Sequence, residues 1–182
     1  MAVSLTALPV FALPHRTGVM IETFESGQVW GNDDRMNATL LSIDDTEITA
    51  LESSRNYLSI HFQKKASFRI FPEKKIFCSG YPESFAFYVY GQGNGEEIYI
   101  DMENNQLRFF RIFAVRIGWR GWRKIEVEIP ARIKRRGTKL QDASGLYFLG
   151  FYIKGSGTDS RILLDDISVT TRPYLLPYSG GL

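Results

Sequence analysis

A single cysteine in 182 residues excludes two chemistries. Cys78 has no partner for an internal disulfide, and no multi-cysteine metal site can be built around it. Histidine is almost as scarce. His15 and His61 lie far apart, so a histidine-based catalytic or zinc cluster has little to draw on. An excess of one charge sign is also missing. The net charge of +2 leaves no global field to attract nucleic acid, and no apolar run is long enough to span a bilayer. No segment shows sustained helical periodicity with caps at both ends. There is no internal repeat and no low-complexity run.

Aromatic residues are abundant: 14% of the chain is aromatic, with 13 Phe and 9 Tyr, residues that favour strands and sandwich cores. The length suits one domain with a substantial core. Around Trp119–Pro130 the pattern is clearest. Ile125, Val127 and Ile129 fall on one face, and Lys124, Glu126 and Glu128 on the other, the period of a half-buried strand that Pro130 ends. A strand dry on one side and wet on the other belongs to an antiparallel sandwich.

Further strands are expected at Val19–Phe24, Thr39–Ile43, Tyr57–Phe62, Ser67–Phe71, Phe85–Tyr90, Ile98–Met102, Leu107–Ile117, Tyr147–Ile153 and Arg161–Thr170. Trp30–Asp34 reads as a polar loop carrying one large ring. Gly91–Gly95 lacks the spacing of a phosphate loop and is followed by Glu96-Glu97, so it reads as a hairpin turn. In the last strand Ile162 and Leu164 share one face while Ile167 and Val169 belong to the opposite phase. Asp165-Asp166 sits where the phase slips, as at a β-bulge. Many short strands with frequent turns predict an all-β, antiparallel β-sandwich of jelly-roll type, like galactose-binding domains and carbohydrate-binding modules.

The expected organisation is an export-signal remnant or disordered start at 1–17, a sandwich domain at 18–172 and an extended tail at 173–182. The start, MAVSLTALPVFA, ends in small residues of the kind a signal peptidase prefers.

Three groups of residues invite a binding role. Glu25, Asp165 and Asp166 could form an oxygen-rich cation site suited to structural calcium, because the terminal strands of a jelly roll often lie side by side. The competing reading is that one aspartate faces solvent and the other caps a bulge or loop by accepting backbone N–H bonds. Arg132, Lys134, Arg135 and Arg136 put four positive charges on one short loop, either simply solvated or contacting an acidic partner surface. Trp30, Tyr90, Trp119 and Trp122 could stack on a glycan, although core packing claims most such rings. No carboxylate pair stands out for glycoside chemistry. No enzyme is expected, and no cofactor beyond that calcium.

Several segments also carry a family resemblance. Phe85-Ala86-Phe87-Tyr88-Val89-Tyr90-Gly91 and Ile98-Tyr99-Ile100-Asp101 look like a V-W-V-Y-G strand and its L-x-L-x-D partner. Gly121–Pro130 is similar to G-W-K-x-L-x-V-x-I-P. Gly145–Ile153 and Leu164–Val169 resemble G-L-x-F-x-x-F-x-I and F-D-Q-I-x-V. Together they resemble the outer-layer (sheath) proteins of spirochaete periplasmic flagellar filaments, the FlaA family, over roughly Glu83–Thr170. The first eighty residues match only through Phe24-Glu25. The resemblance implies a non-enzymatic structural component of the periplasmic flagellum, supporting motility and contacting a flagellin core and other sheath subunits. Similar patterns occur in carbohydrate-binding modules, which imply a glycan partner instead. The fold is common to both; the function is not.

Overall fold

The computed structural model describes residues 16–25, 28–33, 39–45, 56–63, 67–130, 133, 145–157 and 159–172. Twelve strands run in chain order: β1 Thr17–Glu22, β2 Trp30–Asn32, β3 Thr39–Asp45, β4 Asn56–Phe62, β5 Ser67–Pro72, β6 Ile76–Cys78, β7 Tyr81–Gln92, β8 Glu97–Asn104, β9 Phe109–Arg116, β10 Arg120–Glu128, β11 Leu146–Lys154 and β12 Ser160–Arg172. They form two antiparallel sheets. The back sheet has the order β10-β7-β12-β4-β3, with β1 also on β12; the front sheet has β2-β5-β11-β8-β9, with β6 also on β11.

The core lies between the sheets because each long strand turns one apolar row inward. Leu58, Ile60 and Phe62 on β4, Phe85, Phe87 and Val89 on β7, and Ile162, Leu164, Ile167 and Val169 on β12 are buried. Facing them are Phe68 and Ile70 on β5, Ile98, Ile100 and Met102 on β8, and Phe148, Phe151 and Ile153 on β11. Rings bridge the gap: Phe87 meets Phe151 at 5.0 Å, Phe62 meets Phe68 at 5.2 Å and Phe85 meets Phe148 at 5.8 Å. Each buried ring contributes about 1.5–3 kcal/mol of transfer free energy. On β10 the expected register holds: Val127 and Ile129 are buried, Ile125 is half-buried, and Lys124, Glu126 and Glu128 are exposed.

Both central strands share one device. Along one edge of β12, Ser160–Leu164 pairs with β4 and Ile167–Thr171 pairs with β1. Between these partners the register against β7 slips, and Asp166 adopts φ 46°. That is the expected bulge. Along one edge of β11, Leu146–Phe148 pairs with β6 and Phe151–Lys154 with β5, and the slip against β8 falls between Phe148 and Gly150. Gly150 has φ 125°, and a Cβ there would lie 2.1 Å from the Ile70 carbonyl oxygen. Only glycine lets β5 cross β11 so closely.

Two expectations need correction. The segment from Trp30 is strand β2 rather than a polar loop, because Trp30 packs in the core against Phe24 (5.4 Å) and Phe148 (6.4 Å). Short strands β2 and β6 also carry the ten strands expected from sequence to twelve among the described residues. Three residues are too few to display alternation. Of the predicted start at 1–17, residues 1–15 lie outside the described residues, as does the tail at 173–182, while Thr17 already belongs to β1.

Candidate binding face on the front sheet

Residues whose side chains point away from the core on β5, β11, β8 and β9 build a continuous platform. Its centre is Asp101. That carboxylate faces outward yet is only 1% exposed, because two arginines close over it. Arg111 grips it with two bonds, Nε to Oδ1 at 2.7 Å and Nη2 to Oδ2 at 2.9 Å, while Arg69 Nε donates to Oδ2 at 2.8 Å. The register explains the meeting: Arg111 lies directly across from Asp101 on β9. Arg69 reaches from β5 across β11, where bulged Gly150 presents no side chain opposite Asp101. The bond to Asp101 raises the Arg111 pKa further, so its charge is permanent.

Rings surround this knot. The Arg111 guanidinium lies 3.7 Å over Tyr152, and Phe109 stands 5.4–5.5 Å from both arginines. Tyr99 meets Phe113 at 5.4 Å and Tyr152 at 5.8 Å, both edge-on. Farther along, Tyr147 packs on Phe77 at 5.3 Å and carries the Lys75 ammonium at 4.4 Å. Phe77, Phe109 and Phe113 are each about half exposed. Tyr99 donates its hydroxyl to Glu97 at 2.8 Å, which holds the Glu97 carboxyl below its ordinary range and pushes the tyrosine up. The face thus offers flat apolar rings interleaved with fixed donors: a surface for stacking and hydrogen bonding.

The aromatic residues singled out from sequence do not form this platform. Trp30 is core. Trp119 is tied by its indole N–H to the Gly121 carbonyl at 3.1 Å and covered by Arg123. Tyr90 and Trp122 do come together, at 5.6 Å, but on the outer side of the back sheet, where Trp122 also meets buried Tyr57 at 6.1 Å. Arg132, Lys134, Arg135 and Arg136 lie outside the described residues. Arg69, Arg111 and Tyr152 were missed, since their convergence on Asp101 depends on strand neighbours distant in sequence.

The cation set Glu25, Asp165 and Asp166 also needs correction. Among the described residues no group of three or more acidic, histidine or cysteine side chains is placed to hold a metal ion. Glu25 instead accepts the backbone and side-chain N–H groups of Asn56 at 2.8 and 2.9 Å. Buried Asp165 accepts the Asp166 N–H at 2.8 Å, which is the capping role. Beside them buried Glu22, unremarked in the sequence, accepts the Thr23 and Phe24 N–H groups. Burial, then the Glu25 charge, push the Asp166 pKa up. A carboxyl raised on folding contributes stability in its protonated form and loses it as pH rises through the folded value. Asp166→Asn should therefore raise the melting temperature at pH 7 more than at pH 4, and asparagine also suits the positive φ. An equal effect at both pH values would contradict this, and stabilisation by millimolar calcium would restore the ion-site reading.

Other polar burial is structural. Ser160 donates to Glu96 and receives a bond from Asn94 at 3.2 Å, anchoring the start of β12 to the glycine-rich turn. Burial pushes the Cys78 thiol up to about 12, leaving it inert.

No known family profile matches the chain. A curated protein of Brachyspira hyodysenteriae, provisionally named a flagellar filament outer layer-like protein, is 25% identical over 125 residues. That match takes in 61% of this chain but 53% of the relative, so the chain spans about half the relative's length. Solved structures share the fold. The family 30 carbohydrate-binding module of a Clostridium thermocellum cellulosomal cellulase superposes with TM-score 0.57 at 15% identity, covering 85% of this chain and 98% of that one. The family 11 module from the same organism, bound to a mixed-linked tetrasaccharide, gives 0.54 at 12%, covering 86% and 96%. TmCBM61 with β-1,4-galactotriose gives 0.55 at 14%, covering 82% and 94%. The chain has the antiparallel β-sandwich fold of carbohydrate-binding modules and distant sequence similarity to a flagellar outer-layer-like protein.

Proposed function

We propose that this chain is a non-enzymatic structural component of the outer layer of a bacterial periplasmic flagellar filament, serving motility by packing on a flagellin core and on other sheath subunits. The observation that carries the reading is the outer face of the front sheet. It leaves large rings half exposed around a charge network that is already satisfied, and exposed apolar area of this kind marks contact with another molecule. The Brachyspira relative points to which assembly. The basic cluster of Arg132, Lys134, Arg135 and Arg136 would steer docking onto acidic subunits.

A second reading has its own support. Aromatic rings beside guanidinium groups also suit a sugar chain, and the structural neighbours include modules bound to oligosaccharides. In that case the chain is a carbohydrate-binding module of a cell-envelope or carbohydrate-active protein.

Purified filaments separate the two. Mass spectrometry should find this chain in them, and Tyr99→Ala with Tyr152→Ala should weaken association by about tenfold or more, as loss of aromatic anchors does. Reversing the charges at Arg132, Lys134, Arg135 and Arg136 should weaken association without changing the melting temperature. Absence from filaments, together with glycan binding that needs Tyr152, would establish the module reading instead.

A further inference from the structure

The front sheet ends on β9, and among the described residues no strand pairs with its outer edge. The hydrogen bond from Asn104 N–H to the Arg108 carbonyl fixes which groups are left over. Antiparallel ladders alternate. Arg108, Phe110 and Ile112 therefore direct their backbone groups to β8, while Phe109, Arg111 and Phe113 direct theirs to the open edge. The same three residues carry the side chains of the outer face. Leu107, at the tip of the β8–β9 hairpin, is 74% exposed and held at φ 58°, a conformation that disfavours a bulky side chain. An open row of N–H and C=O groups over eight residues, free of proline and lysine, is a template for another strand.

We propose that β9 pairs antiparallel with β9 of a second copy of this chain, about a two-fold axis through Phe110. The sequence of the edge selects both occupant and register. In this register Phe109 of each copy lies opposite Arg111 of the other, and Leu107 comes beside Phe113. Ring meets guanidinium, as Phe109 already does within one chain, and aliphatic meets aromatic. Moving the axis by one residue to Arg111 would set the two Arg111 charges directly opposite, which is unfavourable. The chosen register is self-complementary, as a two-fold contact must be. It joins two front sheets edge to edge and extends the aromatic row across both.

Sedimentation velocity over a concentration series should show a monomer–dimer equilibrium for the full chain. Phe113→Pro removes one outward N–H without touching the bonds to β8, so it should leave the protein monomeric while melting no lower than Phe113→Ala, which loses the same ring contact with Tyr99 but keeps the N–H and should still dimerise. In Phe110→Cys the axis residue meets its own copy across a non-hydrogen-bonded pair, with Cα atoms about 4.5 Å apart, within disulfide range. Oxidation should then give a covalent dimer, with Cys78 too deeply buried to compete. If Phe110→Cys does not fold, Phe113→Pro decides alone. A wild-type monomer throughout the series, or undiminished dimerisation of Phe113→Pro, overturns the proposal. Both measurements use pure protein, so neither outcome depends on whether the chain is found in filaments.

Discussion

Gly150→Ala is expected to be the most damaging single-methyl change in this domain. The new Cβ would sit 2.1 Å from the Ile70 carbonyl oxygen and 2.8 Å from the Phe71 Cα, both backbone atoms of β5. No rotamer change relieves such a contact, so β5 must retreat from β11. The backbone itself, at φ 125°, is a conformation reserved for glycine. Together the clash and strain should cost on the order of 4 kcal/mol, a large share of what a domain of this size has in reserve. Gly118→Ala is the matched control, because a Cβ there meets nothing within 4 Å. Denaturant titration of the two variants should show a large drop in midpoint for the first and almost none for the second. Comparable midpoints would mean that the bulge in β11 is wrongly placed. A damaged Gly150→Ala should also lose the grip of Arg69 on Asp101, since β5 carries the arginine and β11 spaces it.

Val127→Asp should come next. Val127 lies opposite Phe85 on β7 and is 7% exposed, with the apolar core beneath it. A carboxylate there has no cation within the core to pair with. It must either remain charged in an apolar setting or be neutralised at the expense of its ordinary pKa, for a loss of roughly 3 kcal/mol or more. Lys124→Ala, on the exposed face of the same strand, should change stability by less than about 0.5 kcal/mol. Equal thermal stability of Val127→Asp and the parent would refute the register of β10.

Both predictions concern strands, but only one was legible from sequence. On β10 strict alternation of apolar and charged residues declares the buried face. On β12 two carboxylates at a phase slip announce the bulge, because a break in period is itself a local signal. On β11 the corresponding slip is hidden: in Tyr147-Phe148-Leu149-Gly150-Phe151-Tyr152-Ile153 every residue but glycine is apolar or aromatic, so no phase is marked. The candidate face suffered more. Alternation along Ile98–Met102 sets Tyr99 and Asp101 on the face opposite the apolar row, yet nothing local tells that Asp101 would be sealed by arginines 32 and 10 residues away. The tryptophans drew attention instead, and one of them, Trp30, is a core residue on a strand too short to reveal itself.

The pairing of β1 with β12 bears on the order in which the molecule assembles. Thr17 lies across from Thr171, and the clamp of Glu83 by Arg16 at 2.9 Å and Arg172 at 2.5 Å fastens the two extremities of the domain to its middle. β12 also separates β7 from β4, so the back sheet has a gap until that strand arrives. During synthesis the earlier strands must therefore wait, with apolar rows uncovered, for β12. Loop closure across such distances makes folding slow, in the millisecond-to-second range typical of sandwiches. The waiting chain is also the form most open to chaperones, proteases and mispairing. Substitutions in β12 should accordingly slow refolding, whereas those at the exposed edge of β9 should leave the rate of closure untouched.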